Sequence, residues 1–194
     1  MKIYLAGPEV FLPDAAAIGR RKQDICARHG LIGLFPLDAD LARAADAALS
    51  RRIFQANTAL MEDADAIIAN LTPFRGPSAD AGTVYELGYM LGLRRAAAKS
   101  RLCLGYSNIG RSYLDKMGDR MDLRRDDTGS FWDAGNLQVE DFGLPDNLMI
   151  IHGLEMSGHS LVLPEHPVTD PLRDLAAFEI CAAIAARHRA DDPG

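Results

Sequence analysis

The chain has 194 residues, a formal charge of −6 and a hydrophobic fraction of 48%, enough for one sizeable core. Its arginines are scattered and paired with acids, as in Arg124-Arg125-Asp126-Asp127, which excludes the concentrated basic surface that a nucleic-acid polymer requires. Cys26, Cys103 and Cys181 lie far apart in apolar contexts, which argues against a disulfide or zinc framework; with no charged-then-apolar leader and no run near the roughly 20 residues of a membrane span, a soluble cytoplasmic protein is the expectation.

Residues 2–6 are a short β-rich run stopped by Gly7-Pro8, so a first strand ends in a loop over 7–13. A helix follows from Pro13 and Asp14 to about His29, with Ile18, Ile25 and Cys26 on its apolar side and Gly30 as its stop. Residues 31–35 read as a second strand. Residues 44–63 read as a helix with Ile53, Phe54, Leu60 and Met61 at helical spacing and Arg51 and Arg52 on the wet side. A third, buried strand over 65–71 delivers a Thr-Pro-Phe-Arg-Gly-Pro loop and then a helix carrying Leu87, Met90, Leu91 and Leu93. That junction is where open α/β sheets bind ligands.

A fourth strand spans 102–106, and the alternation implies a parallel sheet with right-handed crossovers. It breaks over 107–146, a long interruption rich in Gly, Asp and Arg, then resumes with an expected fifth strand over 148–151. A last helix is expected over 170–188, with Leu172, Leu175, Phe178 and Ala182 as its apolar stripe. The expected architecture is a single domain over 1–194: a flavodoxin-like (Rossmann-like) doubly wound α/β sheet of about five parallel strands with helices on both faces.

Chemistry concentrates at the third junction. Thr83-Val-Tyr-Glu86 fits a capping box, in which Glu86 reaches back to the helix end. A carboxylate used that way is not free to react, so the capping and catalytic readings compete for one side chain. Asp80 and Glu86 are six residues apart, too far for one helical face, and a shared role requires Asp80 to precede the helix. One acid would then attack and the other handle a proton, as in retaining glycosidases. A parallel sheet also brings Tyr4, Gly7, Pro8, Glu9 and Phe11 to this edge. Met149, in an apolar run, fits core packing, and Phe11 fits either packing or stacking on a ligand ring. The five histidines lack metal-ligand spacing, and Gly82 and Gly88 do not make a dinucleotide fingerprint, so neither a metal nor a cofactor is expected.

Five fragments, in order, are Tyr4-Leu-Ala-Gly-Pro-Glu-Val-Phe11, Ala64-Asp-Ala-Ile-Ile-Ala-Asn-Leu71, Arg75-Gly, Asp80-x-Gly-Thr-x-x-Glu-Leu-Gly88 and Gly143-Leu-Pro-Asp-Asn-Leu-Met149. Together they resemble the nucleoside 2-deoxyribosyltransferases, over roughly residues 1–105 and 139–151. The resemblance implies exchange of the base of a 2′-deoxyribonucleoside for a free nucleobase, by retaining double displacement. It makes Glu86 the nucleophile on C1′, Asp80 the acid that contacts the base and helps protonate the leaving nitrogen, and Tyr4 the group that orients Glu86. Gly7, Phe11, Asn57, Arg75 and Gly82 become substrate-binding candidates. Asn147 and Met149 match a segment that reaches a neighbouring subunit's site, so a homo-oligomer is implied. Asn57 stands where some members carry aspartate, which leaves hydrogen bonding as its contribution.

Two rival readings stay open. One is a hydrolase that splits 2′-deoxynucleoside 5′-monophosphates, disfavoured because Gly7-Pro8-Glu9 removes an N–H and adds a negative charge where phosphate would bind. The other is a non-catalytic nucleotide-sensing module.

Overall fold

The computed structural model describes residues 1–36, 47–96 and 101–191. Strand β1 (Lys2–Ala6) leads into a 3-10 turn (Pro8–Phe11) and helix α1 (Ala15–Arg28). β2 (Ile32–Leu34), α2 (Ala47–Asp63), β3 (Ala66–Asn70), α3 (Ala81–Ala96) and β4 (Leu102–Tyr106) follow. The expected start of α2 at Ala44 lies outside the described residues. The four strands pair in parallel in the order β2-β1-β3-β4, with Tyr4 opposite Leu34 on one side and Ile67 on the other.

Strand periodicity divides the core in two. Ile3, Leu5, Ala66, Ile68, Leu102 and Leu104 point to the face covered by α1 and the C-terminal helix α6 (Ala176–Asp191). Tyr4, Ala6, Ile67, Ala69 and Cys103 point to the other, against Met61 of α2 and Leu87 and Met90 of α3. Both faces of β3 and β4 are buried, which is why these strands read as continuous apolar runs. Helix α6 starts later than residue 170, because the Asp174 carboxylate accepts from the Ala176 N–H at 2.9 Å and holds 170–175 as a turn.

The expected fifth strand over 148–151 is a helix, α5 (Leu148–Met156). A four-residue apolar run does not by itself distinguish strand from helix, and here the Asn147 side chain decides by accepting from the Met149 N–H at 3.0 Å. The helix buries Ile151 and Leu154 and turns Met149 and Met156 outward. Leu154 lies against Gly105 of β4, where a methyl group would come within 2.8 Å of its Cδ1, so the close approach of α5 to the sheet requires glycine. The place beside β4 is taken by Val162, which exchanges backbone bonds with Gly105 and Ser107 as a single bridge.

The interruption over 107–146 carries α4 (Tyr113–Gly118) and a small antiparallel sheet of β5 (Arg124–Arg125), β6 (Phe131–Trp132) and β7 (Gln138–Val139). The Trp132 indole N–H donates to Asp126 at 2.7 Å, closing the first of its turns. Its far end is tied back by Lys116, which donates to the Pro145 carbonyl at 2.5 Å. Among the described residues no helix is long and apolar enough to cross a membrane.

The helical assignment over 148–156 is checked by two truncations. A strand would put residues 149 and 151 on one face; the helix separates them. Ile151→Ala is expected to cost about 2–4 kcal/mol and Met149→Ala under about 0.5 kcal/mol in urea unfolding. Equal costs would restore the strand.

Candidate active site

Asp80 precedes α3, and its Oδ2 accepts from the Thr83 N–H at 2.9 Å and from the Thr83 hydroxyl at 3.2 Å. The helix therefore begins three residues earlier than the Thr83-to-Glu86 capping box requires, and that box does not form. Gly82 leaves room for this cap, since a methyl group on it would lie 3.0 Å from Asp80 Oδ2. With the helix end satisfied by Asp80, Glu86 is in the second turn of α3 and its Oε1 accepts from the Tyr4 hydroxyl at 2.6 Å.

Parity in β1 sends the fully buried Tyr4 toward α3. Burial holds the Tyr4 hydroxyl proton far more tightly than in an ordinary phenol, reinforced by the Glu86 charge and the hydrogen bond to it. Tyr4 is thus a fixed donor. Burial raises the Glu86 carboxyl to about 7, with the Tyr4 hydrogen bond opposing the rise and the neighbouring Asp80 charge adding to it. A carboxylate that desolvated, held by one short bond and coupled to a second acid, has the properties of a nucleophile that stays reactive because water does not solvate it.

The other candidates divide. Phe11 is 54% exposed and stacks on Phe74 with ring centroids 5.4 Å apart, while the Arg75 guanidinium lies over both rings, 5.1 Å and 4.8 Å from their centroids. Arg75 has φ of +56°, a conformation that non-glycine residues rarely hold, at the point where the loop after β3 turns toward the helix. Core packing for Phe11 is therefore corrected: it forms an exposed aromatic face at the sheet edge. Asn57 is half-buried on α2 and its Oδ1 is buried without a hydrogen-bond partner among the described residues. At Gly7 a methyl group would meet Glu9 Oε2 at 2.0 Å and the Asn70 side chain at 2.9 Å, so the fold itself requires glycine there.

Glu9 does not present its charge to the loop surface. It is 1% exposed and paired with Lys22 at 2.5 Å, so contrary to the sequence-based expectation it offers no surface charge to repel a phosphate-bearing ligand. Asn147 and Met149 lie at the start of α5. Asn147 Nδ2 donates to Glu140 at 2.7 Å, and Met149 is 74% exposed, so core packing for that methionine is overturned.

The sequence reading did not single out Phe74, Asp146 or Lys22. Asp146 accepts from the Ala79 N–H at 2.9 Å and the Asn147 N–H at 2.8 Å, joining the loop before α3 to the start of α5. Lys22 did carry a signal: it falls among Ile18, Ile25 and Cys26 on the apolar stripe of α1, where a charge needs a buried partner.

The raised Glu86 carboxyl makes a stability prediction. A group whose folded value is above its unfolded one binds more protons when folded, so its contribution is complete below about 4.5 and lost as pH rises through about 7. The stability of Glu86→Gln relative to wild type is expected to rise by about 2–3 kcal/mol between pH 4.5 and 7.5 and then level off, in urea unfolding at stepped pH. A flat difference would show an ordinary, solvated carboxylate.

A family model for nucleoside 2-deoxyribosyltransferases matches residues 3–149. The chain is 31% identical over 202 residues to an uncharacterized protein of Schizosaccharomyces pombe, covering 96% of this chain and 91% of that one. Among solved structures it is similar to a 2-desoxiribosyltransferase from Leishmania mexicana, at 31% identity and a TM-score of 0.64, over 96% of this chain and 97% of that one. A conserved protein from Enterococcus faecalis V583 shares the fold at 17% identity and a TM-score of 0.55, over 97% of this chain and 98% of that one. With the matched model spanning both Tyr4 and Glu86, this chain belongs to the nucleoside 2-deoxyribosyltransferase family.

Proposed function

We propose that the protein exchanges the base of 2′-deoxyribonucleosides for a free nucleobase through a covalent deoxyribosyl ester on Glu86. The observation that carries this reading is the short bond from Tyr4 to a Glu86 carboxylate that its helix does not use as a cap. Tyr4 occupies one carboxylate oxygen and fixes the plane of the group, which directs the attack by Glu86 on C1′. The C1′–N bond breaks with its electron pair going to the base nitrogen, and Asp80, whose cap uses only Oδ2, supplies from its other carboxyl oxygen the proton that the departing base takes up. A second base then attacks C1′ from the face the first one left, giving its N–H proton to Asp80, expelling Glu86 as the carboxylate and restoring the original configuration. The exposed Phe11 ring, stacked on the half-buried Phe74, offers an apolar face for the base.

The same reading makes the protein a homo-oligomer. Met149 and Met156 flank a groove of about 600 Å³ between α3 and α5, which runs along the flank of α3 formed by Val84, Gly88 and Leu91, away from Glu86. A second copy laid on this apolar surface would cover both methionines.

Two experiments test the reaction. Incubation with 2′-deoxyinosine and adenine is expected to yield 2′-deoxyadenosine, with a deoxyribosyl adduct on the intact mass; in Glu86→Ala both vanish, a loss of about 10³-fold or more in kcat. If wild type exchanges no base and instead releases sugar phosphate from deoxynucleoside monophosphates, the hydrolase reading replaces this one.

The pH profile is the second. Glu86 must be ionised to attack, so kcat/KM should fall about tenfold per unit below about pH 7. Because the Tyr4 hydrogen bond favours the carboxylate, Tyr4→Phe should move that limb to higher pH as well as lower its plateau. A limb near pH 4.5 in both proteins would overturn the raised Glu86 carboxyl and its coupling to Tyr4, leaving the Glu86→Ala result to decide the nucleophile.

A further inference from the structure

On the sheet face opposite Tyr4 and Glu86, four elements meet at one carboxylate. Glu9, in the 3-10 turn after β1, accepts at Oε1 from Lys22 Nζ of α1 at 2.5 Å, from Asn70 Nδ2 at the end of β3 at 2.8 Å, and from the Tyr106 hydroxyl at the end of β4 at 3.1 Å. Glu9 is 1% and Lys22 0% exposed, and Lys22 also lies over the rings of Tyr106 and Phe178. A buried ion pair of this kind adds little net stability compared with apolar residues of the same volume, because desolvating both charges offsets their attraction. Its effect is on geometry.

Both sides of the aromatic stack meet at Glu9. The Glu9 backbone carbonyl accepts from the Leu12 N–H at 3.0 Å and closes the turn that presents Phe11. Glu9 Oε2 lies against Gly7, which fixes how the turn leaves β1. On the other side, Asn70 holds Glu9 with its amide nitrogen and accepts from the Thr72 N–H at 3.0 Å with Oδ1. Thr72 leads directly into Phe74 and Arg75, and its hydroxyl accepts from the Asn108 N–H at 3.0 Å.

We infer that the buried Glu9–Lys22 pair, with Asn70 and Tyr106, is a positioning device that sets the spacing of the Phe11 and Phe74–Arg75 walls, and so governs nucleoside affinity rather than the chemical step. The inference rests on the exchange reaction proposed above. The Tyr4–Glu86 pair lies across the sheet with its own hydrogen bond, so disturbing the Glu9 cluster leaves the nucleophile in place.

The test uses two variants of the full chain in steady-state base exchange. The double substitution Glu9→Gln with Lys22→Met removes both charges and leaves an acceptor for Asn70 and Tyr106. Tyr106→Phe deletes one hydroxyl and keeps the ring against Phe178. The nucleoside KM is expected to rise about tenfold in the first and about threefold in the second, with kcat within about twofold of wild type in both. If the double variant does not fold, Tyr106→Phe alone decides. KM unchanged in the folded variants, or kcat lowered at constant KM as loss of folded enzyme would give, overturns the inference while leaving the transferase reading intact. Absence of exchange in wild type instead removes the transferase reading, and this inference with it.

Discussion

The chemistry of this site depends on which carboxylate closes the end of α3. An uncapped helix start leaves backbone N–H groups without partners, and a nearby acid will take them. Asp80 does so through Oδ2, in a cap that Gly82 leaves room for. Glu86 is released from that duty, carried one and a half turns into the helix, and brought over the sheet where Tyr4 is the donor it meets. Had Thr83 been the cap, the same glutamate would have been tied to the helix terminus and β1 would bury a phenol with no acceptor.

That geometry needs two elements far apart in sequence to arrive at the same place. β1 and β3 are adjacent and parallel, so the ends from which Gly7 and Thr72 depart lie side by side. The alternation of side chains along β1 then assigns Tyr4 to the α3 face and leaves the next turn to be anchored from the α1 face by Glu9 and Lys22. The sheet separates the Tyr4–Glu86 pair on one side from a buried ionic cluster on the other. Both lie near a single edge, where burial raises the Glu86 carboxyl and Phe11 stacks on Phe74.

The interruption after β4 is joined to the same edge by directed bonds. Asp146 holds the loop before α3 and the start of α5 together, Glu140 holds the Asn147 amide, and Lys116, which burial makes easier to deprotonate, spans to Pro145. Met149 is left pointing outward from a segment whose backbone is well fastened. An exposed apolar side chain on a well-fastened segment beside an apolar groove is the kind of surface on which a partner docks.

The alternation of strands and helices, the parallel sheet and the junction bearing Asp80 and Glu86 were legible in the sequence because each depends on local periodicity and turn residues. The family, too, was legible, since five short fragments in fixed order carried it. The helix at 148–156 was not: Leu148, Met149, Ile150 and Ile151 are equally apolar in either conformation, and the choice fell to a hydrogen bond from the Met149 N–H to the Asn147 side chain and to the space Gly105 leaves for Leu154. Nor could the local pattern choose between Asp80 and Thr83 as the cap, because both spacings are compatible with a helix start. Only the tertiary structure decided that Glu86 belongs to Tyr4 and Glu9 to Lys22, because a desolvated side chain takes the partner that packing places within reach, and packing is set by residues distant along the chain.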